Sequence, residues 1–221
     1  MKAMILAAGL GTRMRPLTDH TPKPMLLVAG VPLIVHHVRR LVAAGITEIV
    51  INHAYFGEQI EQHFSNVENL NCRIQFSREG EPLDTGGGIF RALPLLGEKP
   101  FIVINSDAWT DYPLRGLLNI NPTHAHLVLT DNPPQHPLGD FYLQADGLVN
   151  TEGAGKKLTW MGLSVINPTL FSGCDSGVFS VVPLLKKVMR DELVSGEYYS
   201  GQWLDVGTPE RLLEANRLAG G

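Results

Sequence analysis

Short apolar runs that alternate with stretches of helical periodicity, the first run closing on a glycine-rich turn, constrain this chain more than any other feature. Residues 2–7 (KAMILA) form an apolar run ended by glycines, as a buried strand of a parallel sheet would be. After a proline-punctuated segment over 15–24, the residues Ile34, Val38, Leu41 and Val42 recur at helical spacing and Gly45 supplies a stop. A strand over 48–52, a helix over 57–64, a strand over 73–76, a helix over about 85–93 and a strong strand over 101–105 continue the alternation. This βαβαβαβ order predicts a mainly parallel sheet covered by helices on both faces, with ligands outside the carboxyl ends of its strands. Gly9 and Asp107 both fall at such ends.

Beyond Asp107 the pattern loosens into a mixed half. Strands are expected over 126–130, 141–143, 148–150 and 158–166, then a helix over 181–193, a strand over 202–206 and a helix over 208–218. No internal repeat or low-complexity linker divides the chain, so residues 1–221 read as one domain, and a 44% hydrophobic content suffices for one sizeable core. The balance of 18 basic against 22 acidic residues, a formal net charge of -4, lacks the surplus expected of a nucleic-acid polymer binder. An anionic ligand must therefore be held by a local cluster. No stretch approaches the ~20 apolar residues that cross a bilayer, and the apolar start is too short for a signal-peptide core. Cys72 and Cys174 form no metal or redox spacing, as expected in a reducing cytoplasm. The adjacent His36 and His37 face different directions on a helix, so no zinc site is expected there.

The stretch LAAGLGTRMRPLT, residues 6–18, places small residues and two arginines just after a strand, so backbone N–H groups and guanidinium forks can converge on one phosphate chain. A dinucleotide fingerprint would need glycine where Met14 stands, and a Walker loop would need a closing Lys-Ser or Lys-Thr. A plain strand-to-helix turn with Arg13 and Arg15 solvated is the simpler alternative. Against it stands Pro22-Lys23-Pro24, where two prolines stiffen the backbone around one lysine and present its ammonium group at a fixed point. The run FIVINSD, residues 101–107, delivers the Asp107 carboxylate at a strand end, where a hard cation could bridge it to phosphate oxygens; an aspartate capping a turn is the common alternative. Magnesium sites usually draw one or two carboxylates, and Asp205 in WLDVGTPE is the chosen second, with stabilisation of a helix end equally open on residues alone. The run EGEPLDTGGG, residues 79–88, has consecutive glycines that would let the main chain approach a flat base. A flexible turn with Thr85 as helix cap explains it as simply.

Together, GLGTRMRPLT followed by Pro22-Lys23-Pro24 resembles the signature of the sugar-1-phosphate nucleotidyltransferase family. The resemblance implies a Rossmann-like, GT-A-like fold with a mixed, mainly parallel sheet, a nucleotide-binding half over 1–110 and a sugar-binding half over 111–221. It assigns Arg13 and Lys23 to charge neutralisation at the reacting phosphates, and Asp107 and Asp205 to Mg2+. The nucleotide would be held by Leu6, Ala8, Gly9, Gly11, Thr12, Thr85, Gly86 and Asn105, with backbone near Ala8 and Gly86 gripping the base. The sugar would meet Gly139, Asp140, Asn150 and Glu152. UTP and N-acetylmuramate 1-phosphate are the implied substrates, giving a UDP-sugar for bacterial cell-wall recycling.

This sequence departs from the family at two places. Ser106 stands where glycine is usual before the metal aspartate, and the common Glu-Lys pair is missing because Gly153 follows Glu152. Glucose- or mannose-1-phosphate nucleotidyltransferases using UTP, dTTP or GTP are the rivals of the same chemistry. A silent nucleotide-sugar sensor is the rival of another class; retention of Arg13, Lys23, Asp107 and Asp205 together weighs against it.

Overall fold

The computed structural model describes residues 1–67 and 70–220. A seven-stranded sheet runs through the molecule, built from β1 (Ala3–Leu6), β2 (Glu48–His53), β3 (Arg73–Arg78), β4 (Phe101–Asn105), β6 (Ala125–Thr130), β7 (Thr159–Ile166) and β8 (Val194–Tyr198). Strand β5 (Ala108–Thr110) and strand β9 (Trp203–Asp205) form a separate antiparallel ribbon. The sheet order is β8-β6-β7-β4-β1-β2-β3. Strands β4, β1, β2 and β3 are mutually parallel, β7 runs antiparallel between β4 and β6, and β8 joins β6 in parallel. The mixed, mainly parallel sheet is thus present.

Alternation along the strands explains why both faces are covered. Ala3 and Ile5, Ile49 and Ile51, and Ile102 and Ile104 enter one apolar cluster, whereas Met4, Val50, Phe101 and Val103 enter the cluster on the opposite face. Helices α1 (Leu33–Ala43) and α2 (Gly57–Ser65) close the first face through Ile34, Val38, Leu41, Ile60 and Phe64. Helices α3 (Asp84–Leu96) and α4 (Val181–Met189) close the second through Ile89, Ala92, Leu96, Val181 and Leu185. Helix α5 (Pro209–Gly220) packs Ala215 in a small cluster with Val28, Leu33, Leu204 and Val206. At roughly 25 cal/mol per Å² of apolar surface, burying one such side chain contributes about 1.5–3 kcal/mol, so the two clusters carry the fold.

A difference from the sequence expectation falls at the end of α4. Helix α4 ends at Met189, four residues short of the expected 193, and the edge strand Val194–Tyr198 follows at once. That strand is short and carries Gly196 at its centre, so neither length nor alternation announced it. A Cβ at Gly196 would come within 2.7 Å of the Leu127 carbonyl oxygen and 2.5 Å of Val149, so the glycine sits where backbone and side chain crowd the strand. Gly86, Gly87 and Gly88 lie inside the first turns of α3, within the helix expected from about residue 85, and are buried. No helix among the described residues is long and apolar enough to cross a membrane.

Candidate active site

The carboxyl ends of β1, β2 and β4 open into one cleft with two chambers. The first, a cavity of about 400 Å³, is lined by Leu6, Ala8, Gly9, Gly11, Thr12, Arg13, Lys23, Thr85, Asn105 and Asp107, together with Asn52, Pro82, Asp84 and Gly207. The second, of about 300 Å³, shares Arg13, Asn105 and Asp107 with it and adds Asp205, Asp140, His136, Trp160 and Trp203. The two chambers are therefore neighbours that share these three residues.

The turn after β1 has its shape because Gly11 takes a left-handed backbone, φ +64°, that disfavours side chains. A Cβ there would also press on Thr18 at 3.1 Å and on the Lys23 side chain at 3.3 Å. Thr18 Oγ1 donates to the Gly11 carbonyl at 2.8 Å, closing the loop onto the Pro22-Lys23-Pro24 segment. Lys23 Nζ then reaches Asp107 Oδ2 at 2.5 Å, so the framed lysine and the strand-end aspartate meet directly. Arg13, on the rim, has an exposed side chain facing both chambers.

The second carboxylate arrives by strand register. Across the ribbon, Asp205 pairs with Ala108, and Val206 N–H donates to the Asp107 carbonyl at 2.8 Å. Asp205 is also clamped from α5, where Arg211 Nη1 donates to its Oδ2 at 2.6 Å. A Cβ on Gly207 would lie 2.7 Å from Arg211 Nη2 and 3.1 Å from Asp205 Oδ2, so that glycine leaves room for the pair. Among the described residues no cluster of three or more His, Cys, Asp or Glu side chains could hold a metal. A cation at this cleft would therefore draw on Asp107 and Asp205, a hard oxygen pair that leaves positions for phosphate oxygens and water, which suits Mg2+.

Buried polar contacts fix the surrounding walls. Asn52, closing β2, is 2% exposed; its Oδ1 accepts from Ala7 N–H at 3.0 Å and its Nδ2 donates to Glu79 Oε1 at 2.6 Å. Glu79 Oε2 in turn accepts from Leu83 N–H at 2.8 Å, which ties the segment carrying Pro82 to the end of β1. Beneath the Ser106–Asp107 turn, His37 Nε2–H donates to the Ser106 carbonyl at 3.2 Å. Burial, reinforced by the charge of Arg40, lowers the His37 pKa to about 4, so the ring is neutral near pH 7.

Several expected ligands stand elsewhere. Gly86 is not among the residues lining the cleft, and a Cβ there would meet the Phe179 ring at 2.5 Å, so the packing of α3 on the segment before α4 requires glycine. Thr85 does line it, but its hydroxyl accepts from Val181 N–H at 3.1 Å and donates to Asp84 Oδ1 at 3.1 Å, and the helix is assigned from Asp84 onward. Asn150 lies outside both chambers, and the amide orientation that satisfies its neighbours donates to the carbonyls of Val149 and Met189 and accepts from Gln144. Glu152 is exposed outside both chambers. Gly139 lies beside the second chamber without lining it, whereas Asp140 does line it. Asn52, Trp160, Trp203, His136 and Arg211 were not singled out by sequence reasoning as site residues. Asn52 shares with Asp107 the signal of a polar residue at the end of an apolar strand; the others, placed on a loop, two strands and a helix, carry no local signal.

Residues 2–141 match the family model described as Nucleotidyl transferase. The N-acetylmuramate alpha-1-phosphate uridylyltransferase of Neisseria meningitidis serogroup B is 50% identical over 228 residues, covering 100% of this chain and 99% of that protein. The protein of the same name from Caulobacter vibrioides is 40% identical over 233 residues, covering 98% and 96%. A Bacillus anthracis structure described as a glucose-1-phosphate thymidylyltransferase superposes with a TM-score of 0.83 at 22% identity, covering 99% and 95%, a likeness of fold.

Proposed function

The chain belongs to the nucleotidyl transferase family, and we propose that within it the protein joins UMP from UTP to N-acetylmuramate alpha-1-phosphate and releases pyrophosphate. The observation that carries the reading is the convergence of Lys23 on Asp107 at 2.5 Å with Asp205 held alongside and Arg13 facing both chambers. Relatives at 50% and 40% identity over nearly their whole length, both bearing the uridylyltransferase name, support the choice of UTP and muramate.

In this reading the nucleotide occupies the first chamber, against the Gly9 to Arg13 turn and Pro82, and the sugar phosphate occupies the second. An oxygen of the sugar phosphate attacks the α-phosphorus; that P–O bond forms as the bond from the α-phosphorus to the bridging oxygen breaks, and pyrophosphate leaves with the electron pair. The attacking oxygen is already anionic, so no side chain has to remove a proton and no covalent enzyme intermediate is needed. Lys23 and Arg13 offset charge on the reacting phosphates, and most of the rate comes from positioning and electrostatics. Mg2+ held by Asp107 and Asp205 would supply further charge neutralisation at phosphate oxygens. Trp160 and Trp203 offer flat apolar surface to a sugar ring. The division into nucleotide-binding residues 1–110 and sugar-binding residues 111–221, and a place in cytoplasmic cell-wall recycling, belong to the same proposal.

A pyrophosphate-release screen tests it, pairing UTP, dTTP, GTP or ATP with the 1-phosphates of N-acetylmuramate, glucose or mannose in the presence of Mg2+. Preference for UTP with N-acetylmuramate 1-phosphate is expected. Preference for dTTP with glucose 1-phosphate, or for GTP with mannose 1-phosphate, would overturn the substrate assignment, and silence with every pair would favour a nucleotide-sugar sensor.

A further inference from the structure

We propose that His136 is a specificity-determining residue that takes the carboxylate by which N-acetylmuramate 1-phosphate differs from sugar phosphates with neutral substituents; the assignment rests on the substrate reading above. The second chamber has two poles. At one, Arg13 stands with Asp107 and Asp205, the groups assigned to the phosphates. Along the rest of the wall, His136 is the one described basic side chain.

The loop that presents His136 is tightly built. Asn132 Nδ2 donates to the carbonyls of Pro137 at 3.2 Å and Lys157 at 2.9 Å, while its Oδ1 accepts from Thr159 Oγ1 at 2.8 Å. Gly139 takes a φ of +63°, and a Cβ there would lie 2.6 Å from Asn132 Oδ1, so the loop closes only with glycine. Asp140 then orients the imidazole: its Oδ1 accepts from His136 Nε2–H at 3.0 Å and its Oδ2 accepts from Trp160 N–H at 2.9 Å. With both carboxylate oxygens engaged, Asp140 supports the ring, and the imidazolium form would offer Nδ1–H to an incoming carboxylate.

The two lysines that follow Glu152 are engaged elsewhere. Lys156 pairs with Asp131 at 2.9 Å, and Lys157 lies over the Tyr142 ring at 5.4 Å from its centre. Neither lines the chamber. The Glu-Lys pair absent from this sequence therefore has no lysine substitute at the wall, and an acid on the sugar would meet His136.

The test compares kcat/KM of the wild-type chain, His136→Gln and His136→Lys with UTP and either N-acetylmuramate 1-phosphate or N-acetylglucosamine 1-phosphate, the same sugar without the lactyl acid. His136→Gln is expected to lower the selectivity ratio for the acid sugar by about tenfold or more, through KM rather than kcat, and His136→Lys to restore much of it. An unchanged ratio, or an equal loss with both sugars, would overturn the assignment: the equal loss would place His136 at the phosphate or in loop architecture. A wild-type chain without preference for the acid sugar would instead overturn the substrate reading, and this assignment with it.

Discussion

Asp205 lies across a short antiparallel ribbon from Ala108, the residue that follows Asp107, and Val206 fixes the pairing through its N–H bond to the Asp107 carbonyl at 2.8 Å. Two carboxylates from distant parts of the chain are brought together by backbone register, and each is met by a cation of the same chain: Lys23 at Asp107 and Arg211 at Asp205.

Arg211 stands in the first turn of α5, where a positive charge opposes the helix dipole. Its placement makes sense through Asp205, whose orientation it holds. Arg211→Ala is expected to reduce turnover by about 10- to 100-fold with the fold retained, and Arg211→Lys to recover part of the loss. Steady-state pyrophosphate release alongside circular dichroism checks this; unaltered turnover in the alanine variant would remove Arg211 from the account.

Lys23 pairs with Asp107 at 2.5 Å from Oδ2, and Asp107 is one of the two carboxylates that would hold a divalent cation. Lys23→Gln is expected to lower kcat by about 100-fold or more, because it removes charge stabilisation at the reacting phosphates. In the nucleotide-free chain the same variant should bind Mn2+ more tightly than the wild type, since a competing ammonium group is gone. Titration calorimetry with Mn2+ reads the second effect independently of turnover.

Gly86→Ala separates packing from recognition. Its new methyl would meet the Phe179 ring at 2.5 Å and the Phe179 carbonyl oxygen at 2.9 Å. Overpacking of this kind costs about 1–3 kcal/mol. The expected result in urea unfolding is a lower midpoint, while KM for the nucleotide stays near that of the wild type; a raised nucleotide KM at unchanged stability would return Gly86 to the base pocket.

His37 links acidity to stability. Its folded pKa, about 4, lies below the ordinary value of 6.5, so between these the unfolded chain binds a proton that the folded chain refuses. Stability is present near pH 7 and falls as pH drops from about 6.5 toward 4, by roughly 3 kcal/mol for this group. Denaturant unfolding across that range should show a shallower slope in His37→Gln, which retains a donor for the Ser106 carbonyl but does not titrate. Equal slopes would place the pH dependence elsewhere.

Much of the first half was legible because its chemistry sits at strand ends. Asp107 and the Gly9 to Arg13 turn each follow an apolar run and two prolines frame Lys23, so period and proline placement bring them forward as candidates while the family resemblance assigns their roles. The glycines at 86–88 could not be interpreted from sequence because a glycine run looks the same whether it bares backbone to a ligand or to Phe179, which a Cβ at Gly86 would meet. Asn150 was chosen by its place in sequence, yet the carbonyl of Met189 at the end of α4 claims its amide. The strand Val194–Tyr198 escaped because its glycine answers a neighbour, Leu127, that local pattern cannot see. His136, Trp160, Trp203 and Arg211 come together through tertiary register, which no short motif encodes.

The most direct test of the central claim is the kcat of Asp107→Asn, Asp205→Asn and the double variant, measured as pyrophosphate release with UTP and N-acetylmuramate 1-phosphate at saturating Mg2+. The claim that these carboxylates act on one cation predicts a loss of about 100-fold or more for each single change, with the double variant losing far less than the product of the two. Near-normal turnover in Asp107→Asn, or fully multiplicative losses in the double variant, would contradict it.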